Sequence, residues 1–317
     1  MDVEIKKFNL KHKQGILQLH RRTFKKNKSS KYWNWRFSSK FLKKPFGLIA
    51  FSNKKIISNF IAQPIKYKIK NEEKNCLVTL WTMTDHNYFR KNIDLLHNMM
   101  KDTYELAKKK EFFLVIGFAN KKSHLIFTRW FGYKETKMNE LVIILPINNN
   151  SKKILDCIQI KKFDATFTNF YKNHKMLKNK ICVPRTSKYL NWRYIEKPGN
   201  EYRCYKILKE KKLVGYFILK NYLGEKCHII DFLVSNDKDV YNTIIDKAIK
   251  FALDYNIKEI SLWVPKYTSF YKHLKKNNFK EKEIETYFII KKLNDKSDQY
   301  IKKFKNWYIT MGDSDVF

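Results

Sequence analysis

Four of the side chains in this sequence that can accept a proton are candidates for doing so in catalysis. His86 and His124 carry imidazoles, whose ordinary pKa lies in the physiological range. Asp313 and Asp315 stand two residues apart, between Trp307-Tyr308-Ile309 and Val316-Phe317, in a chain otherwise short of acid. A carboxylate beside an amine orients it and takes up its proton. A solvated terminus with Asp-Ser in a turn is the plainer reading of the same tail, and plain surface is the plainer reading of a lone histidine. A second chemistry is offered by Tyr189, Trp192, Arg193 and Tyr194, since an aromatic ring stacks a nucleotide base and an arginine pairs with a diphosphate. Core packing by the tryptophan, with the arginine tying down a helix end, is the structural alternative.

Trp192 and Arg193 belong to a repeat. Ser30-Lys31-Tyr32-Trp33-Asn34-Trp35-Arg36-Phe37 returns 157 positions later as Ser187-Lys188-Tyr189-Leu190-Asn191-Trp192-Arg193-Tyr194. The same offset superposes Lys54-Lys55-Ile56-Ile57-Ser58-Asn59-Phe60 on Lys211-Lys212-Leu213-Val214-Gly215-Tyr216-Phe217. An internal duplication is expected, with one domain over residues 1–146 and a second over 154–317 that includes the tail. The stretch from Pro146 to Lys153, with Ile147-Asn148-Asn149-Asn150, reads as the linker.

Each half alternates strand and helix patterns, which predicts an α/β domain with helices packed on a mixed sheet. In the first half the pattern predicts helices over 11–25, 91–109 and 121–131, and strands over 46–51, 56–68, 75–84, 112–116 and 133–145. In the second it predicts strands over 202–209, 212–221, 226–235, 258–264 and 279–292, and helices over 238–255, 268–277 and 296–305.

Composition narrows the function classes. The net charge is +36, yet only eight of the 66 basic residues are arginine, the residue that reads phosphates and bases bidentately. Lysine spread evenly with asparagine and isoleucine resembles codon bias more than a recognition surface, so nucleic acid is not the first choice of partner. The charge still favours anionic substrates. Apolar runs such as Leu141-Val142-Ile143-Ile144-Leu145-Pro146 fall far short of the ~20 residues a membrane span needs. Asp2 and Glu4 are unlike a signal peptide. Five scattered cysteines with no paired metal-ligand spacing predict free thiols, a cytoplasmic chain and no metal.

Two stretches carry a family resemblance. Thr82-Met83-Thr84-Asp85-His86-Asn87-Tyr88-Phe89-Arg90-Lys91-Asn92-Ile93 resembles the passage of a core strand into the coenzyme A pyrophosphate loop of GNAT acyltransferases. Gly117-Phe118-Ala119-Asn120-Lys121-Lys122-Ser123, followed by Phe131-Gly132-Tyr133, resembles the Gly-Phe-Pro-Asn-x-x-Ser strand exit and later Gly-aromatic turn of tandem GNAT proteins. The resemblance spans residues 30–145 and, through the repeat, 187–292. It implies two tandem GNAT domains and acyl-coenzyme A as cosubstrate, bound by Met83, Thr84, Phe89, Arg90, Lys91, Asn92, Ile93, Asn120 and Ser123. It departs from the family's glycine-rich loop, with Phe89 at the basic or amide position and Asn92 and Asp94 at the glycine positions.

The equivalent second-half loop, Ser235-Asn236-Asp237-Lys238-Asp239-Val240-Tyr241, has two aspartates, no glycine and no arginine. The first half is therefore expected to hold the coenzyme, with its pyrophosphate on helix N-terminal amides. The resemblance further implies that a backbone N–H of Met83 or Thr84 polarises the thioester, that His86, His124 or a tail aspartate folded back on the first domain accepts a proton, and that an acyl group passes to a nucleotide-linked amino sugar for a surface polysaccharide such as O-antigen or capsule. Tandem GNAT architecture also serves aminoacyl-tRNA-dependent transferases to peptidoglycan precursors or lipids, and the altered loops also suit a binding module without catalysis.

Overall fold

A computed structural model describes residues 3–89, 93–146, 154–199, 201–293 and 299–317. The first sequence half gives β1 (Glu4–Lys7), α1 (Lys13–Phe24), α2 (Ser30–Phe37), β2 (Phe46–Ser52), β3 (Lys55–Ile69), β4 (Glu72–Thr84), α3 (His86–Phe89), α4 (Ile93–Lys109), β5 (Leu114–Asn120), α5 (Lys121–Phe131) and β6 (Lys134–Ile144). The second gives β7 (Asp156–Ile160), α6 (Ala165–Lys172), α7 (Ser187–Leu190) continued by a π turn over Asn191–Ile195, β8 (Tyr202–Lys209), β9 (Lys212–Tyr222), β10 (Lys226–Val234), α8 (Lys238–Asp254), β11 (Glu259–Leu262), α9 (Ser269–Lys276), β12 (Lys280–Lys292) and α10 (Gln299–Lys302).

Apart from α3 and the closing α10, the two halves repeat one order of elements. The repeat reaches into local chemistry at the octapeptide. Ser29 accepts a hydrogen bond from the Tyr32 amide at the start of α2, and Thr186, 157 residues on, accepts one from Tyr189 at the start of α7. Trp35 and Trp192 are both buried on the turn that follows. The offset holds through β2/β8 and β3/β9, then shrinks because β9 and β10 are shorter than β3 and β4.

Packing divides the chain differently from sequence. One compact unit comprises Met1–Tyr67, Glu73–Glu135 and Tyr287–Ser297, and the other Lys68–Glu72, Thr136–Thr286 and Asp298–Phe317. Strand order is β1-β2-β3-β4-β5-β12 in the first and β6-β11-β10-β9-β8-β7 in the second. The first half thus contributes nine of the eleven residues of β6 to the second unit, and the second half six of the thirteen residues of β12 to the first. The Leu293 amide donates to the Phe113 carbonyl beside β5, while Leu141 to Ile144 of β6 pair with Leu262 to Glu259 of β11.

In the first unit, strand alternation sends neighbours to opposite faces. Leu77 packs with Met100, Tyr104, Phe127 and Phe131 of α4 and α5, and Val78 with Ile16, Leu19, Trp33 and Phe37 of α1 and α2. In the second, Val240, Ile244, Ala248 and Ala252 form a fully buried i, i+4 stripe along α8. Among the described residues no helix is long and apolar enough to cross a membrane, and all five cysteines are free thiols.

Candidate active site

In the first unit β4 and β5 run parallel but pair only over Leu77↔Val115 and Val78↔Ile116, while β4 continues to Thr84 and β5 to Asn120. The strands therefore fork. Gly117 stands at the fork because an added Cβ would lie 3.0 Å from the Thr79 hydroxyl and 3.2 Å from the Ile289 side chain. Within the fork β4 is distorted at Trp81, whose φ of 48° is unusual for a large side chain and marks a break in the regular strand. Side chains of β3 satisfy the carbonyls around it. Asn59 Nδ2 donates to the Trp81 oxygen at 2.8 Å, Ser58 Oγ donates to the Met83 oxygen at 3.1 Å, and Ser58 shares a 2.8 Å bond with Thr84 Oγ1. Met83 and Thr84, both expected at the thioester, are buried at this end of β4.

The distortion turns Trp81 into an aromatic wall. Its ring lies parallel to Tyr32 at 5.8 Å, edge-on to Phe37 at 5.2 Å and 4.8 Å from the His20 imidazole. His20 Nδ1 lies 3.0 Å from the Lys26 carbonyl, which can only accept, so Nδ1 carries the proton and Nε2 the lone pair in the neutral ring. Burial lowers the His20 pKa; Lys28 adds to this and the Lys26 carbonyl opposes it. Arg22 closes the same corner, donating to Asp85 Oδ2 at 2.9 Å and to the Ile56 carbonyl at 2.7 Å. Burial alone would raise the Asp85 pKa, but Arg22 and the Asn87 amide outweigh it and hold the carboxyl below its ordinary value. The sequence offered no spacing signal for His20, Arg22, Asp85 or Trp81, which converge from two elements.

On the other face, β5 runs directly into α5. Asn120 caps the helix by accepting from the Lys122 and Ser123 amides at 3.0 and 2.9 Å, while the Asn120 amide donates to Ser123 Oγ at 3.1 Å. The two residues expected to touch the coenzyme are thus engaged in a capping box. Asn120→Ala is expected to cost about 1 kcal/mol of unfolding free energy in a urea melt while leaving coenzyme A affinity unchanged. A loss of affinity without a loss of stability would restore the ligand role.

One turn further, the nearly buried His124 places Nδ1 2.6 Å from Glu135 Oε2, and its ring stacks on Tyr287 at 3.7 Å and 5°. A carboxylate on one imidazole nitrogen fixes ring and tautomer and leaves Nε2 to accept a proton, the relation of base to orienting acid in nucleophile-activating dyads. The sequence named His124, but its partner lies eleven residues on, across a helix and a turn.

The other expected residues fall out differently. His86 is exposed on the first residue of α3, next to Asp85. Arg90, Lys91 and Asn92 lie outside the described residues, as do the side chains of Phe89 and Ile93.

Tyr189, Trp192, Arg193 and Tyr194 are each at most 3% exposed, which corrects the expectation that they line a cleft. The Arg193 guanidinium donates to the main-chain oxygens of Gly312, Ser314 and Phe317 at 2.9–3.0 Å and to the Tyr202 hydroxyl at 2.9 Å, and Tyr194 donates to Asp231 at 2.8 Å. Asp313 meets the fully buried Arg185 at 2.6 Å, and Asp315 is exposed. The tail belongs to the second compact unit, so the expected fold-back of a carboxylate onto the first domain is corrected as well. The bonds that the sequence assigned to a ligand are made to the chain's own end.

The second unit has a fork of its own, where β10 and β11 pair over Lys226↔Glu259 to Ile229↔Leu262. A cleft of about 760 Å³ lies beyond it, lined by Phe232, Val234, Tyr241, Ser269 and Phe270 among others. The neighbouring α8 is already capped by a carboxylate: Asp237 accepts from the Asp239 amide at 2.9 Å and pairs with Lys209 at 2.7 Å.

This architecture has known counterparts. Residues 4–136 match the family model for an acetyltransferase (GNAT) domain. No protein of curated function matches by sequence. Among solved structures, a protein from Enterococcus faecalis V583 described as a probable N-acyltransferase superposes with a TM-score of 0.72 at 12% identity, over 92% of this chain and 73% of that one. A tandem GNAT protein from the clavulanic acid biosynthesis pathway gives 0.63 at 8% identity, over 94% and 100%. Saccharomyces cerevisiae N-myristoyltransferase with bound myristoyl-CoA gives 0.61 at 10% identity, over 92% and 79%. The fold is therefore that of GNAT N-acyltransferases in tandem, as the duplication and the two quoted stretches predict.

Proposed function

We propose that the chain is an acyl-coenzyme A-dependent N-acyltransferase whose first unit receives the coenzyme at the fork between β4 and β5. The contrast between the two forks carries this reading. At the second, Asp237 already occupies the helix N-terminus and Asp239 follows it, so an incoming pyrophosphate would meet two carboxylates. At the first, the sequence before α4 supplies Arg90 and Lys91, and Asp94 is the one acid in the first turn. The family model on residues 4–136 supports the same half.

When bound, the coenzyme supplies an activated thioester. The chain's part is to hold the carbonyl against the backbone at Met83 and Thr84 and, on the α5 face, to take the proton of the attacking amine on His124 Nε2 while Glu135 holds the ring; the Trp81 wall closes the opposite face. The acceptor is read as an amino sugar on a nucleoside diphosphate, used in the cytoplasm for a surface polysaccharide such as O-antigen or capsule. Its support is the chain's strong positive charge, which favours an anionic acceptor.

Titration calorimetry with coenzyme A tests the choice of fork. Arg90→Glu combined with Lys91→Glu is expected to weaken binding by about 1–3 kcal/mol, the scale of charge-assisted hydrogen bonds to phosphate. Ser269→Trp, which fills the second cleft from an exposed position, is expected to leave it unchanged. The reverse pattern would move the coenzyme to the second unit.

A further inference from the structure

The second unit contains another cleft, of about 500 Å³, with no part in the assignments above. Tyr267 and Phe304, both half-buried, supply its accessible aromatic surface, the almost fully buried Trp263 and Trp307 border it, and Lys137, Lys266 and Lys305 also line it. No carboxylate is among its lining residues. The volume is within the ordinary range for a small-molecule site.

The charges around the cleft are unequal. Lys137 is paired with Glu283 at 2.8 Å and Lys266 with Glu281 at 2.7 Å. Lys305 and Lys180 have no carboxylate partner among the described residues. They are nevertheless neighbours: Lys180 Nζ donates to the Lys305 carbonyl at 3.0 Å and lies 3.7 Å from the centre of the Tyr267 ring. Burial, then the nearby Lys305, lowers the Lys180 pKa, as expected for two cations brought together without an intervening anion. A pair of uncompensated ammonium groups beside an aromatic cleft recognises a flat ring carrying phosphates.

We infer that this cleft binds the nucleoside diphosphate of the acceptor, its base against the aromatic walls and its phosphates toward Lys305 and Lys180. The inference rests on the proposed acyltransferase reading and specifies its acceptor. It also moves nucleotide recognition from the buried Tyr189-to-Tyr194 segment to the half-buried rings of Tyr267 and Phe304.

Coenzyme A itself contains a nucleoside diphosphate, so the test separates the two sources. Full-length protein is titrated with UDP, dTDP, inorganic pyrophosphate and coenzyme A. At least one of UDP and dTDP is expected to bind about tenfold or more tighter than pyrophosphate, the scale of one base–aromatic stack. Lys305→Glu, an exposed change, should weaken that binding roughly tenfold and leave coenzyme A affinity unaltered. Phe304→Ala should reduce the preference over pyrophosphate. The inference is overturned if neither nucleotide binds, if pyrophosphate binds as tightly, or if Lys305→Glu weakens coenzyme A by the same factor, which would give the cleft to the coenzyme. Intact coenzyme A binding without nucleotide binding removes only this inference, whereas absent coenzyme A binding removes the proposed function beneath it.

Discussion

His124→Ala is expected to lower turnover by about 10² to 10⁴ while leaving coenzyme A affinity close to wild type, the range for loss of a well-placed general base. The expectation comes from the 2.6 Å contact with Glu135, which occupies one ring nitrogen and assigns proton transfer to the other. Glu135→Gln keeps an acceptor oxygen but removes the charge that stabilises the protonated ring, so a smaller loss in kcat with little change in KM is expected. Because the ring also stacks on Tyr287, a urea melt must accompany the rates. Full turnover in a folded His124→Ala variant would make the dyad a packing contact. The proton would then fall to His20 or to water. His20 can be told apart by pH: its pKa is lowered, so it accepts a proton only below its ordinary value, and a rate that depends on it would be retained at neutral pH and fall only in more acidic solution.

Elements with strong local patterns were legible in the sequence. The α5 span is predicted at its observed limits, β8 likewise, and α8 and β3 within about one residue of theirs. The short pieces were not: β1, α2, β7, α6 and α7 run only four to eight residues, too few turns or alternations for a period to stand out. α2 and α7 were visible as a repeat without being visible as helices. The exchange of β6 and β12 between packed units lay beyond local pattern, because a strand's period fixes which side chains share a face and not which neighbour it pairs with.

The candidate site divides along the same line. Met83, Thr84, Asn120 and His124, in or beside the two quoted stretches, could be named from sequence, but Ser58 and Glu135, which bond to Met83, Thr84 and His124, could not. The octapeptide repeat exposes a further limit. Arg36 remains partly exposed over the Trp35 ring, whereas Arg193 is buried on the tail, so identical letters took different work once one copy had a chain end to hold.

Removal of Gly312 to Phe317 is expected to cost stability before it costs chemistry. The sequence alone suggested the opposite, a carboxylate tail needed for turnover. Burial reverses the order. Arg185 is fully buried and contacts Asp313 at 2.6 Å and Asp231 at 3.5 Å. Asp231 also accepts from Tyr194 and Thr310 at 2.8 and 2.9 Å. Gly312 fits because an added Cβ would strike the Tyr194 hydroxyl. Arg193 and Lys197 are spent on the tail's main-chain oxygens, the latter at 2.6 Å to Phe317.

Deleting the six residues would leave two buried arginines short of acceptors. Breaking one buried ion pair costs about 3–5 kcal/mol, a large part of the roughly 5–15 kcal/mol that holds a typical domain folded. Asp313→Ala should lose most of that amount and Asp313→Asn somewhat less, since the amide oxygen still accepts from Arg185. Asp315→Asn, at an exposed position, should be close to neutral. Urea denaturation of the three single variants and the truncation checks the ranking. A truncated protein that melts like wild type but no longer turns over would return Asp313 to the chemistry and leave the Arg185 pair without structural weight.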